Sequence, residues 1–307
     1  MDVRVMAGGA GIADSAVVDS FCQDASCIVL RIYDQSPFGN HLDLGPPGGA
    51  VKTPDEGVNA TATRVLIQNQ ATGETHQVFG AKFEGGMGYR NDNTKGVAVD
   101  DEPESIYMVV AGGHFNDKCC FDYGNAETSD LDEGEGTMEA VYWGSCKGWS
   151  RGKGSGPWVM ADLESGLWAG AREGINPQNV PIRSDFVTAL LKGDSNRFTL
   201  KHADATGGKS GSPGLIEEEN GKLQMLYGGK RPNEKYEVMR KQGASILGIG
   251  GDNSNWAVGT FFEGVITKGY ASDDTDALVQ ENILNAGYSL LPAVEESPAF
   301  TFIQNSA

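Results

Sequence analysis

Three stretches of the chain carry side chains able to do chemistry. The first is Gly156-Pro157-Trp158-Val159-Met160-Ala161-Asp162-Leu163-Glu164-Ser165-Gly166. Read as a strand, it places Trp158, Met160, Asp162 and Glu164 on one face and Val159, Ala161 and Leu163 on the other. At the usual rise per residue the two carboxylates then stand about 7 Å apart. Carboxylates beside Trp and Met suit a sugar cleft, where a ring packs on the C–H face of the sugar and carboxylates bond its hydroxyls; the plainer reading is a polar sheet edge. The second stretch is Ile249-Gly250-Gly251-Asp252-Asn253-Ser254-Asn255, in which paired glycines let the backbone turn sharply after an apolar run and present Asp252 on a loop. Its plainer reading is a local turn. The third is the adjacent pair Cys119-Cys120, followed by Phe121-Asp122-Tyr123-Gly124-Asn125-Ala126-Glu127-Thr128. Such a pair can help chelate a metal, remain as thiols, or close into a strained ring, because neighbouring alpha carbons about 3.8 Å apart fall below the usual disulfide span. Strain of that kind is usually held at a working site.

Other chemistries find less support. His41, His76, His114 and His202 show no ligand spacing, and Cys119-Cys120 with His114 lacks a second pair at zinc-site distance, so no metal is expected. There is no Gly-x-Ser-x-Gly elbow. Gly207-Gly208-Lys209-Ser210-Gly211 lacks the full phosphate-loop spacing and reads as a surface turn. No cofactor is implied.

The elements that must position these groups read as strands. Among the 307 residues, 43 glycines punctuate short β-branched and aromatic runs, which favours tight turns between strands. Strands are expected over 28–33, 63–68, 76–83, 105–111, 138–143, 157–164, 186–191, 197–202, 222–227, 245–250 and 260–266. Asn220-Gly221 is the strongest hairpin signal. One helix is expected over 273–286, capped by Ser272 or Asp273 and stopped by Gly287, with Leu278, Val279, Ile283 and Leu284 as its apolar stripe. With no repeat or linker evident, the expected architecture is all-β: one sandwich over 1–290 with a short accessory helix, and a tail over 291–307.

Twenty-four basic against 42 acidic residues give a net charge of −18, which disfavours nucleic acid and anionic membrane as partners. No apolar run reaches the roughly 20 residues that span a bilayer. The five cysteines leave at least one unpaired; Cys22 and Cys27 could close a short loop. That pair and the sequon Asn59-Ala60-Thr61 lean toward secretion. Residues 1–20 show no signal-peptide pattern, so a secreted form would have its natural start upstream.

Taken together, Cys119 to Thr128, Met138-Glu139-Ala140, Gly156 to Gly166 and Ile246 to Asn255 resemble the catalytic domain of glycoside hydrolase family 54, the α-L-arabinofuranosidases. Phe21 to Cys27, Tyr33-Asp34-Gln35-Ser36 and Gly39-Asn40-His41-Leu42 agree, and the similarity runs from about residue 15 to residue 290. The resemblance implies a concanavalin-like, jelly-roll β-sandwich and a retaining hydrolase that removes terminal arabinofuranosyl groups from arabinoxylan or arabinan. By position it implies Glu164 as nucleophile, Asp252 as general acid/base, and Cys119-Cys120 as a vicinal disulfide packing on the sugar. Asp162, Ser165, Trp149 and Gly251 would contact substrate, and Cys22-Cys27 would be a structural disulfide. Glu164 should then stay ionised while Asp252 has a raised pKa. A monomer acting on arabinose-containing saccharides is expected.

Against the family pattern, the chain opens near what would be the domain's interior and shows no C-terminal arabinose-binding β-trefoil. Ser165 stands where the motif has Asn, and Cys146 has no evident partner.

Overall fold

The structure, a computed structural model, describes residues 1–6, 11–207 and 221–292. Two antiparallel sheets of eight strands each dominate the described residues. Sheet A runs, edge to edge, through β1 (Arg31–Ile32), β2 (Leu42–Leu44), β5 (Tyr89–Asn91), β16 (Ala244–Leu247), β7 (Asp122–Ala126), β8 (Glu139–Gly144), β10 (Trp158–Asp162) and β11 (Leu167–Trp168). Sheet B runs through β15 (Gln224–Gly229), β14 (Arg197–Asp204), β13 (Phe186–Asp194), β6 (Glu104–Ala111), β17 (Gly259–Lys268), β4 (Thr75–Phe83), β3 (Thr63–Gln68) and β18 (Tyr288–Ser289). A short parallel pair, β9 (Ser150–Gly152) and β12 (Gly174–Asn176), lies apart.

Alternation explains how the sheets pack. Val141 and Trp143 of β8, Val159 and Ala161 of β10 and the following Leu163 meet Met108, Val110, Val187, Ala189, Leu191 and Leu200 of sheet B in one buried cluster between the layers. The other face of sheet A is also buried: Tyr142, Trp158 and Met160 pack with Cys120, Leu167 and Ala169. The two faces expected for the 157–164 run are therefore correct, but the strand stops at Asp162 and Glu164 lies beyond it.

Helix α2 (Asp273–Ala286) has the expected bounds, with Ser272 accepting from Thr275 N and Gly287 left-handed. Its inward face differs from the expected stripe. Asp276, Gln280 and Ile283 are buried, whereas Leu278 is 65% exposed. Asp276 turns inward because Lys192 and Lys201 of sheet B each place Nζ 2.7 Å from its Oδ2. A second helix, α1 (Ser15–Phe21), was not expected; it is only 7 residues long and carries two adjacent valines, so its 3.6-residue period is too brief to read. Asn220 of the expected Asn220-Gly221 hairpin, the turn at 208–211 and most of the tail lie outside the described residues.

Between the sheets, Lys241 donates to Glu139 Oε2 at 2.6 Å and to the Glu102 carbonyl at 2.7 Å, with Glu104 Oε2 at 3.6 Å. Burial pushes Glu104 up to about 8. Lys241→Met leaves two buried carboxyls without their cation, and a loss of about 3–5 kcal/mol is expected from the urea midpoint. An unchanged midpoint would show that the ammonium does not hold this end of the sandwich.

Candidate active site

Glu164 sits in the two-residue turn joining β10 to β11. Leu163 N donates to Gly166 O at 3.3 Å, and Glu164 and Ser165 have φ of 61° and 50°. Left-handed backbone at two successive non-glycine residues suits a tight hairpin but costs about 1–3 kcal/mol each. The surroundings hold it: Glu164 N donates to Asp162 Oδ1 at 3.1 Å, and Tyr236 Oη donates to Glu164 O at 3.0 Å. The Glu164 side chain is thus aimed by a turn rather than by strand alternation, and its main-chain N–H is capped by Asp162.

The loop after β16 folds over the same face. Its paired glycines are required by close approach. A β-carbon on Gly250 would run into Ser254 Oγ, and one on Gly251 would stand 2.8 Å from Glu164 Oε2 and nearer still to Glu127 Oε2. Arg90, wholly buried, donates to Gly251 O at 2.6 Å and also to Glu127 O, tying this loop to the end of β7. Asn255 donates to Asp55 Oδ1 at 2.6 Å. Asp252, half-buried, accepts from Ser254 N at 3.0 Å, and its charge acts on Glu164, Asp162 and Asp122.

Cys119 and Cys120 are joined in a disulfide just before β7. Their peptide is cis, so the alpha carbons are 2.9 Å apart rather than the 3.8 Å expected for a trans link. The pair is bonded into the Asp252 loop, with Cys120 N donating to Ser254 O at 3.1 Å and Trp256 N to Cys119 O at 3.3 Å. Cys120 Sγ lies 3.4 Å from Asp162 Oδ2. The three ligand-type atoms cluster, but with both sulfurs in one disulfide they are not a thiolate set.

Carboxylates crowd this face out of water. Asp122 faces Asp162, and burial with that neighbour raises Asp122 well above its usual range while Asp162 is pushed up to about 7. Glu164 is pushed up to about 11, chiefly by burial and then by Asp162, Glu127, Asp132 and Asp252. Ionisation of Glu164 is therefore disfavoured as placed, against the direction expected for a carboxylate that stays ionised. The physical reason is that a carboxylate at 7% exposure beside other carboxylates loses its hydration without gaining a cation.

The structure brings together Glu164, Asp252, Asp162, Cys119, Cys120 and Gly251. Ser165 adjoins them, with Oγ donating to Asp132 Oδ1 at 3.3 Å. Trp149 is 47% exposed before β9 and shares no hydrogen bond or ring contact with the cluster. Cys22 and Cys27 form a disulfide remote from it, and Cys146 is a free thiol beside Tyr142. Arg90, Glu127 and Tyr236 were missed. Glu127 lay in a quoted motif, but nothing local marks a lone Arg or Tyr whose partners at the site are 37 to 161 residues away.

Fold and site together have the form of a β-sandwich glycoside hydrolase, and the comparisons agree. The family model described as "Alpha-L-arabinofuranosidase B, catalytic" matches residues 1–289. The chain belongs to this family, glycoside hydrolase family 54. It is 44% identical over 292 residues to alpha-L-arabinofuranosidase B of Aspergillus kawachii, covering 95% of this chain and 55% of that one. The same-named protein of Aspergillus oryzae is 43% identical over 301 residues, covering 98% and 56%. The chain thus spans about half the length of the curated relatives it matches. A GH54 α-L-arabinofuranosidase soaked with a cyclic sulfate inhibitor superposes with a TM-score of 0.84 at 44% identity, covering 97% of this chain and 58% of that one. An arabinofuranosidase complexed with arabinofuranosyl-alpha-1,2-xylobiose gives 0.84 at 43% identity with the same coverage.

Proposed function

We propose that this chain is a retaining α-L-arabinofuranosidase that removes terminal arabinofuranosyl groups from arabinoxylan or arabinan side chains. The carrying observation is the convergence of Glu164 and Asp252 over the Cys119–Cys120 disulfide. Ionised Glu164 attacks the anomeric carbon while Asp252 gives its proton to the departing oxygen; Asp252 then deprotonates water, which releases the sugar from Glu164. Asp162 bonds hydroxyls, Ser165 and the Gly251 backbone border the sugar, and Trp149 offers an exposed ring toward the rest of the saccharide. The arabinofuranosyl-xylobiose complex of a relative supports an oligosaccharide ligand. Two disulfides fit an extracellular setting, and the protein acts as a monomer.

A mechanism-based arabinofuranosyl inhibitor, followed by peptide mapping, tests this directly. The label is expected on Glu164, and the first product seen by NMR should retain its anomeric configuration. Binding of arabino-oligosaccharides with no product would instead make the chain a carbohydrate-binding sandwich.

The disulfide serves as a rigid apolar wall. Replacing both cysteines by Ala (C119A/C120A) is expected to raise KM about tenfold, equivalent to a modest loss of apolar contact, with less effect on kcat. An unaltered KM in a folded variant would make the pair purely structural.

A further inference from the structure

Glu127 ends up where a free carboxyl is hard to explain structurally. It follows β7, is fully buried, and its Oε1 accepts from Thr137 Oγ1 at 2.5 Å. Its Oε2 accepts from no N–H or hydroxyl donor among the described residues, and lies with Glu164 Oε2 against Gly251. Burial raises Glu127, and a hydrogen bond from Glu164 opposes that rise. Two buried carboxyls this close cannot both ionise cheaply, which favours a single proton between them.

We propose that Glu127 is a positioning residue that exchanges this shared proton with Glu164, so that Glu164 becomes the attacking carboxylate while Glu127 becomes its hydrogen-bond donor. The inference rests on Glu164 being the nucleophile. The proton on Glu164 passes to ionised Glu127, and the pair keeps one negative charge through that exchange; the electron pair left on Glu164 then forms the bond to the anomeric carbon, and the negative charge passes to Asp252 as it gives its proton to the leaving oxygen. Thr137 fixes the far oxygen of Glu127, and Arg90 holds its main-chain carbonyl. The other charges facing the pair are Asp162, the Glu164 neighbours Asp132 and Asp252, and the Arg90 guanidinium, itself engaged with Asp92 and Asp130.

The test compares E127Q and E127L on an aryl arabinofuranoside. The Gln amide donates to Glu164 permanently and mimics protonated Glu127, so kcat should fall less than about tenfold and the acid limb of kcat/KM should hold its position. Leu cannot donate; Glu164 is left buried and unsolvated, kcat should fall about 100-fold with KM near the parent value, and the acid limb should move up by about one pH unit. If E127L fails to fold, the infrared band of a protonated carboxylic acid still decides. Glu164 should be ionised at neutral pH in E127Q, so parent minus E127Q should contain that band. A limb in E127L coincident with the parent, equal impairment of E127Q and E127L, or absence of the infrared band would overturn the inference. Mapping the inhibitor label on the parent keeps the two readings apart: a label elsewhere than Glu164 removes the nucleophile assignment, whereas a label on Glu164 with coincident profiles removes only the role of Glu127.

Discussion

Glu164→Gln is expected to lower kcat/KM on an aryl arabinofuranoside by roughly 10⁴-fold or more, because an amide oxygen cannot form the glycosyl intermediate. The substitution is isosteric, keeps the left-handed turn and the Tyr236 bond to the main-chain carbonyl, and removes one carboxyl from a crowded cluster. Stability should therefore be equal or higher while turnover disappears, a combination that separates catalytic loss from misfolding. Thermal melts alongside single-turnover kinetics would show it. Parent-like turnover in the folded variant would take Glu164 out of the mechanism.

Asp252→Asn is the second large effect. Removing the general acid should cost about 10²–10⁴-fold on an oligosaccharide, whose leaving oxygen needs a proton. With 4-nitrophenolate as leaving group the first step needs little acid, so the loss should be smaller and fall on release of the sugar. A burst of nitrophenol followed by slow turnover is the expected trace. Equal losses on both substrates, without a burst, would assign Asp252 to binding. Its main-chain carbonyl accepts from Ala50 N and its side chain caps Ser254 N, and an Asn can keep both bonds.

The strands that were readable are those with an apolar face. Expected strands at 63–68, 76–83, 105–111 and 186–191 lie within a few residues of β3, β4, β6 and β13, because one side of each enters the core and the period-2 pattern survives. Strand β7 was not readable. Asp122-Tyr123-Gly124-Asn125-Ala126 has polar residues on both faces, and it is extended because β8 and β16 flank it on both sides. The same gap hid Glu127, which that strand carries to the cluster. Strand 28–33 shrank to Arg31–Ile32, with Ile28 left in a single bridge to Asn59.

What the sequence determined by itself was the inventory: an all-β chain, carboxylates at 162, 164 and 252, an adjacent cysteine pair, and a motif order specific enough to indicate the family. Each of these is local, expressed in periodicity, turn chemistry or short spacing. What only the tertiary structure decided was which groups meet and which carboxyls are crowded together out of water. Glu164 left its strand for a turn, Arg90 tied two distant carbonyls together, and Glu127 came to lie with Glu164 against Gly251. Desolvation and like-charge repulsion depend on approach in space between residues far apart in the chain, and no local pattern encodes that distance.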